Sequence, residues 1–149
     1  MKEVFQVTQS ILRSGEDVFM VLTTPALFPK FLRGITEIRS AKEILTAVGD
    51  SYAEARVVMG KTAWSDIVVT QISSPRLIAF EAKLKGVTAT YVYEIEHQAT
   101  ASLVSLKAYT KAKGLFAQLL LPLVNSAIRK QDADQLVHLK ASLEKDIIQ

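Results

Sequence analysis

The chain has 149 residues, of which 49% are hydrophobic and 22% charged, with a formal net charge of +3. Such a length and composition describe one ordinary globular domain, residues 1–149, able to bury a core without covalent staples. The small basic excess contains no Lys/Arg run of the kind that marks a nucleic-acid binder, and the lack of cysteine removes disulfides, thiolate chemistry and Cys-type zinc sites.

Residues 2–13 alternate, with Val4, Gln6, Thr8, Ser10 and Leu12 on one parity and Phe5, Val7, Gln9 and Ile11 on the other. This predicts a strand ended by Ser14-Gly15. Ser14 can cap a following helix, and Glu16 and Asp17 then suit the dipole of its first turn. Val18, Phe19, Val21 and Leu22 give that helix an apolar face, and it stops before Pro25. A second short helix is expected over 26–32, with Pro29 near its start and Gly34 closing it. From Ile35 the pattern turns to strands, over 35–45, 51–59, 62–72, 76–84, 87–96 and 101–112. Turns fall at Val48-Gly49-Asp50, Gly60-Lys61, Ser73-Ser74-Pro75, Lys85-Gly86 and 97–100. The clearest strand carries Val87, Ala89, Tyr91, Tyr93 and Ile95 on one parity. The five short-linked strands after residue 50 make an antiparallel meander with one apolar face, which needs a cover.

The cover is a helix from about Gly114 to Ile147. Phe116, Leu119, Leu120, Leu123, Val124, Ala127 and Ile128 form one apolar stripe at helical spacing. Leu136, Leu139, Leu143 and Ile147 form a second, rotated round the axis, and Pro122 predicts a bend in the first part. The fold class is therefore α+β: a six- or seven-stranded curved antiparallel sheet round a long C-terminal helix, with two short helices after the first strand. A curved sheet cannot touch a helix along its whole length, and the gap is a natural ligand cavity. The densest apolar stretch, Leu115–Val124, is about half as long as a membrane span, and no signal-peptide apolar core follows Met1. A soluble, cytoplasmic protein is expected.

At this point the chain resembles the START-like (SRPBCC, helix-grip) superfamily, within it the polyketide cyclase/dehydrase and lipid-transport group. The resemblance rests on element order and on four phrases. These are Glu16-Asp17-Val18-Phe19 before Pro25; Ser74-Pro75-Arg76-Leu77-Ile78-Ala79-Phe80-Glu81; Lys113-Gly114-Leu115-Phe116 leading to Leu121-Pro122-Leu123; and Leu139-Lys140-Ala141-Ser142-Leu143-Glu144. It implies a cavity for sterols, lipids, polyketides or plant hormones. Aromatase/cyclase members carry a Trp and, further along the same strand face, a hydroxyl residue and an Arg. Trp64 matches, whereas Val68 and Thr70 stand at the other two positions. Phe28-Pro29-Lys30-Phe31-Leu32-Arg33-Gly34 resembles the coenzyme-Q-binding and ribosome-associated toxin-like branch.

The expected pocket is lined by Trp64, Asp66, Val68, Thr70, Phe80, Tyr91, Tyr93, Leu106 and Thr110 from the sheet and by Leu120, Leu123 and Val124 from the helix. Trp64 would be a flat wall for a ring-bearing ligand, or else plain packing. The hydroxyls of Tyr91 and Tyr93 need partners if buried, from the ligand or from the core. Asp66 shares the parity of Trp64, and a salt bridge to Arg56 on the preceding strand is expected. Asp66, Glu81 and the tyrosines are the groups available for proton transfer. His138 is expected to face solvent, and the two histidines, His97 and His138, share no metal-ligand spacing. Gln118 and Asn125 could reach the cavity from the helix, although a polar helix face is the commoner arrangement. The leucines at 119–121 and 123 form either a wide core stripe or an apolar lid bent at Pro122.

Three functions fit. The first is a carrier of a hydrophobic small molecule (lipid, polyketide or isoprenoid-like), with no metal or cofactor. It would be a monomer or weak homodimer that neither binds nucleic acid nor inserts stably in a membrane. The second is an enzyme of cyclase, dehydrase or aromatase type. The third is an interaction module of the coenzyme-Q-binding/toxin-like branch with a closed core.

Overall fold

The computed structural model describes residues 1–58 and 60–148, with side chains for all of these but Val58 and residues 146–148. Met59, the expected end of one strand, and the side chain of Ile147, expected to extend the second helical stripe, lie outside the described residues. The alternating first segment forms β1 (Lys2–Ile11). Ser14 Oγ accepts the Asp17 amide at 3.1 Å and caps α1 (Gly15–Leu22), whose Val18, Phe19 and Leu22 are buried. The second short helix is a 3₁₀ segment, Pro25–Lys30, with Pro29 inside it and Phe28 buried.

One expected strand is shorter than its pattern. Strand β2 covers only Ile35–Arg39, and residues 40–50 form a loop rather than the rest of a strand over 35–45. Two tertiary contacts override the alternation. Leu45 turns into the core, its amide donating to the Thr23 carbonyl at 2.8 Å. Asp50 Oδ2 accepts the amides of Thr46 and Ala47 and the Lys42 ammonium, which closes the loop. The remaining strands are β3 (Ser51–Val58), β4 (Lys61–Ser73), β5 (Leu77–Leu84), β6 (Val87–His97) and β7 (Ser102–Ala112). All seven join one antiparallel sheet in the order β1-β7-β6-β5-β4-β3-β2. In the β5–β6 hairpin Lys85 and Gly86 both have positive φ, the twist that a two-residue turn requires.

The C-terminal arm covers one face of this sheet but is interrupted. Helix α2 (Leu115–Asp132) and helix α3 (Gln135–Ile148) are separated at Ala133-Asp134, and Pro122 sits inside α2 without breaking it. The break has a polar cause. Asp132 turns inward to the sheet, while Asp134 caps α3, its carbonyl accepting the amides of Val137 and His138 and its carboxylate meeting Arg33 at 2.6 Å.

Burial divides the covered face into two unequal parts. The main core gathers Leu136, Leu139 and Leu143 of α3, Val18 and Leu22 of α1, Phe28, and Ile67, Val69, Ile78, Phe80, Tyr93, Val104 and Leu106 of the sheet. Phe28 meets Tyr52 and Phe80 edge-on at 5.1 and 6.1 Å between ring centres, and Phe80 meets Tyr93 at 6.0 Å. Beneath α2 the buried cluster is only Val4, Ala108 and Ile128.

Candidate functional site

On β4 the buried residues are Ile67 and Val69, so Trp64, Asp66 and Val68 lie on the uncovered face of the sheet. This corrects their expected place beside the helix. Trp64 is 42% exposed, and the Arg39 guanidinium of β2 stacks 4.3 Å from its ring centre, which is surface packing. Asp66 is exposed and does not pair with Arg56, because Arg56 points to the opposite face. Thr70 is the extra residue of a bulge between Val69 and Gln71, its hydroxyl donating to the Ala79 carbonyl at 3.4 Å. Glu81 faces Val68 across the β4–β5 pair, on the same uncovered side, 3.7 Å from Lys83.

Phe80, Tyr93 and Leu106 are on the covered face but buried within the main core. Tyr93 donates its hydroxyl to Gln135 Oε1 of α3. Tyr91 is half-buried and donates to Asp132 Oδ2 at 2.7 Å. Burial first, then the neighbouring Asp132 carboxylate, holds the Tyr91 hydroxyl well above the usual tyrosine range, and the same causes raise Tyr93. Thr110 donates to Asn125 Oδ1 at 2.7 Å, so Asn125 faces the sheet and not solvent. His138 is partly exposed and accepts the Arg33 Nε proton at 3.0 Å.

The groups that meet around Tyr91 include several that periodicity does not single out. Arg56 Nε lies 3.4 Å from Glu54 Oε1, and its Nη1 reaches Asp132 Oδ1 at 3.4 Å, Gln131 Oε1 at 3.3 Å and the Arg33 carbonyl at 3.1 Å. Glu54 is 7% exposed, and its Oε2 is buried with no hydrogen-bond partner. Burial raises the Glu54 carboxyl above its ordinary value; Arg56 opposes this and Asp132 adds to it. A signal existed in the sequence: Glu54 and Arg56 share the strand parity of the buried Tyr52.

Helix α2 lies over β7, β6 and β1. Its start is seated on the β5–β6 hairpin, where a Cβ on Gly86 would come within 2.9 Å of the Lys113 carbonyl and 3.0 Å of the Ala117 Cβ. One flank is polar and tied down: Gln118 donates to the Ala112 carbonyl, Asn125 accepts from Thr110, and Arg129 donates to the Val4 carbonyl of β1. The other flank is the row Leu119, Leu123, Ala127 and Gln131, spaced by four residues and ending where Gln131 meets Arg56 of β3. Leu119 and Leu123 are 74% and 68% exposed, while Leu120 and Val124 beside them are half-buried. On the covered face of β5 and β6, Ala82 pairs with Ala89, both half-buried, and Leu84 is exposed although it shares the parity of Phe80. Leu119 and Leu123 of α2 are thus open to solvent, and the Glu54–Arg56–Asp132–Tyr91 group lies where α2 ends. The wide core stripe expected for the leucines is confined to Ala117 and Ile128, with Leu120, Leu121 and Val124 partly covered.

Two surface depressions lie elsewhere. One, of about 230 Å³, is lined by Ser14, Gly15, Glu16 and residues 97–101. The other, of about 720 Å³, is open-sided and runs over the ends of β4 to β7 near Arg76 and Glu94. Neither is lined by Glu54 or Asp134, the residues that hold an unpaired buried side-chain oxygen among those described. No group of three or more metal-ligating side chains occurs among the described residues.

No family model matches the sequence, and no curated protein matches it. Solved structures do match along nearly its whole length. A protein from Arthrobacter aurescens is 11% identical, with a TM-score of 0.76 over 97% of this chain and 90% of that one. Ara h 8.0201 is 12% identical, with a TM-score of 0.71 over 95% of this chain and 97% of that one. The di-domain ARO/CYC protein BexL from the BE-7585A biosynthetic pathway is 14% identical, with a TM-score of 0.72; the match covers 97% of this chain and 47% of BexL. In agreement with its element order, this chain has the START-like, helix-grip fold.

Proposed function

We propose that the protein binds or carries a hydrophobic small molecule in a groove beside α2. The observation that carries this reading is the exposed row Leu119 and Leu123 on α2, beside the half-buried Leu120 and Val124 and on the helix that ends at a buried polar group. Apolar area enclosed there contributes about 25 cal/mol per Å² before ordering costs. Leu120 and Val124, half-buried on α2, and Thr110, bonded to Asn125 of α2, would line the groove, with Tyr91 at its inner end. The similarity in fold to BexL, an ARO/CYC protein of a biosynthetic pathway, supports a small-molecule role and leaves the guest open.

The inner end favours one kind of head group. Arg56 is already shared among two carboxylates and two carbonyl-type oxygens, and the Tyr91 and Tyr93 hydroxyls are both committed. The unpaired acceptor is Glu54 Oε2. A guest with a hydroxyl or another hydrogen-bond donor would satisfy it, recovering roughly 1–3 kcal/mol. A carboxylate or phosphate head would meet two acids and no free cation.

Native mass spectrometry of the purified protein, followed by denaturing extraction, tests the reading. A stoichiometric apolar guest is expected, and long-chain alcohols or sterols should raise the melting temperature where the matched carboxylic acids do not. A clean apo mass with no thermal shift across such a panel would overturn it. One observation favours turnover in the same groove: a buried carboxyl with a raised pKa, as Glu54 has, suits a general acid. Loss of turnover in Glu54→Gln with binding retained is the result that reading requires.

A further inference from the structure

The β3–β4 and β5–β6 hairpins, the start of β1, the end of β7 and the first turns of α2 all lie at one end of the sheet. Segments 2–4, 57–58, 60–63, 81–89 and 109–119 make up that end. They carry six lysines, Lys2, Lys61, Lys83, Lys85, Lys111 and Lys113, all exposed, against two acids, Glu3 and Glu81. The excess of four positive charges is larger than the +3 of the whole chain, so the rest of the molecule is net negative. Standing among these lysines are Leu84, Leu115, Phe116 and Leu119, each more than half exposed. A charged rim round several large exposed apolar side chains is not the normal surface of a monomer.

We propose that this end of the molecule docks on the surface of an anionic lipid bilayer. Leu115, Phe116 and Leu119 project from the first turns of an amphipathic helix and would enter the boundary between headgroups and acyl chains. The lysines at the hairpin tips and at the end of β7 would meet lipid phosphates at the same depth. A second copy of the chain fits this face poorly, because a symmetric contact would bring the two sets of six lysines together. Docking would be peripheral, since no helix among the described residues is long and apolar enough to cross a membrane. Docking of this kind requires no guest bound beside α2.

Flotation with vesicles of phosphatidylcholine alone, and with an equal mixture of phosphatidylcholine and phosphatidylglycerol, tests the proposal on the full chain. Binding to the mixed vesicles is expected, at least about tenfold above binding to phosphatidylcholine alone, falling as salt is raised. Lys111→Glu/Lys113→Glu should reduce binding by about tenfold or more. Leu115→Ser/Phe116→Ser should also reduce it, with an unchanged melting temperature because both side chains are exposed. The charge variant keeps the test alive if the serine variant does not fold. Absence of binding to the mixed vesicles, or binding that survives the loss of Leu115 and Phe116, would overturn the proposal. So would a concentration-dependent dimer in light scattering that the same variants dissolve, because the face would then be covered by a second copy.

Discussion

The two halves of the covered sheet face differ in what their residues do. Under α3 and α1 the side chains interlock: Leu136, Leu139 and Leu143 fill the space above Ile78, Tyr93 and Leu106, with Phe28, Tyr52 and Phe80 edge-on beside them. Under α2 the sheet offers Ala89 and Ala108, and the helix leaves Leu119 and Leu123 in the open. Between the halves stands the Glu54–Arg56–Asp132–Tyr91 group. The first half holds the fold together, which frees the second to remain loosely filled. Substitutions should therefore separate stability from ligand capture according to which half they touch.

The sharpest break of this comparison is at the dense side. Phe28 is almost fully buried and meets three rings, those of Phe31, Tyr52 and Phe80, edge-on. Phe28→Ala should cost about 3–5 kcal/mol in urea unfolding. A loss near zero would mean that this half is not the stabilising one. Next comes the boundary. Asp132→Ala removes a partner from both Arg56 and Tyr91, leaving Arg56 with Glu54 at 3.4 Å as its remaining carboxylate beside the neutral Gln131 and Arg33 oxygens. The expected cost is roughly 3 kcal/mol, and an unchanged denaturation midpoint would show the group to be solvated.

Legibility in the sequence follows the same division. The parity of β6 and the spacing of Leu136, Leu139 and Leu143 announce their burial, because there burial follows local period. The inward parity of β4 does not show, since Ala63, Ile67 and Val69 compete with Trp64 and Val68, and the neighbouring strands decide. Alternation over 35–45 misleads because Leu45 is drawn inward by contacts with Thr23 and the loop closed by Asp50. Charges within β3 read as a wet face, yet Glu54 and Arg56 are inward. Only a distant residue, Asp132, makes their burial tolerable, and its turn inward also sets the break between α2 and α3. Long-range pairing of this kind leaves no trace in the sequence beyond the parity that Glu54 and Arg56 share with Tyr52.

A smaller effect comes from Glu54 itself. Burial, the leading cause, raises its pKa from the ordinary 4.5, so the folded chain holds that proton more tightly than the unfolded chain. The contribution to stability is full below 4.5 and is lost as pH rises from there through the raised folded value. Glu54→Gln keeps the shape and removes the titration. Its melting temperature should equal or exceed that of the parent at neutral pH, with the difference closing as pH falls to about 4. Parallel melting curves from about pH 4 to about pH 8 would show that the carboxyl is not held under this strain.

The smallest expected change in stability belongs to the open half. Leu123 is 68% exposed, so Leu123→Ser should shift the unfolding free energy by no more than about 0.5 kcal/mol. Leu139, fully buried on α3, should cost about 2–5 kcal/mol when cut to alanine. Ligand binding should reverse that order. Leu123→Ser takes apolar area from the flank of the groove and puts a hydroxyl there, so the thermal shift given by a long-chain alcohol should shrink while the ligand-free melting temperature stays put. Should Leu123→Ser lower the ligand-free melting temperature as far as Leu139→Ala does, Leu123 would be packed in solution and α2 would lie closer to the sheet. A retained thermal shift with unchanged stability would instead move the guest away from this flank of α2 and leave the polar group at Glu54 as the part of the site still to be explained.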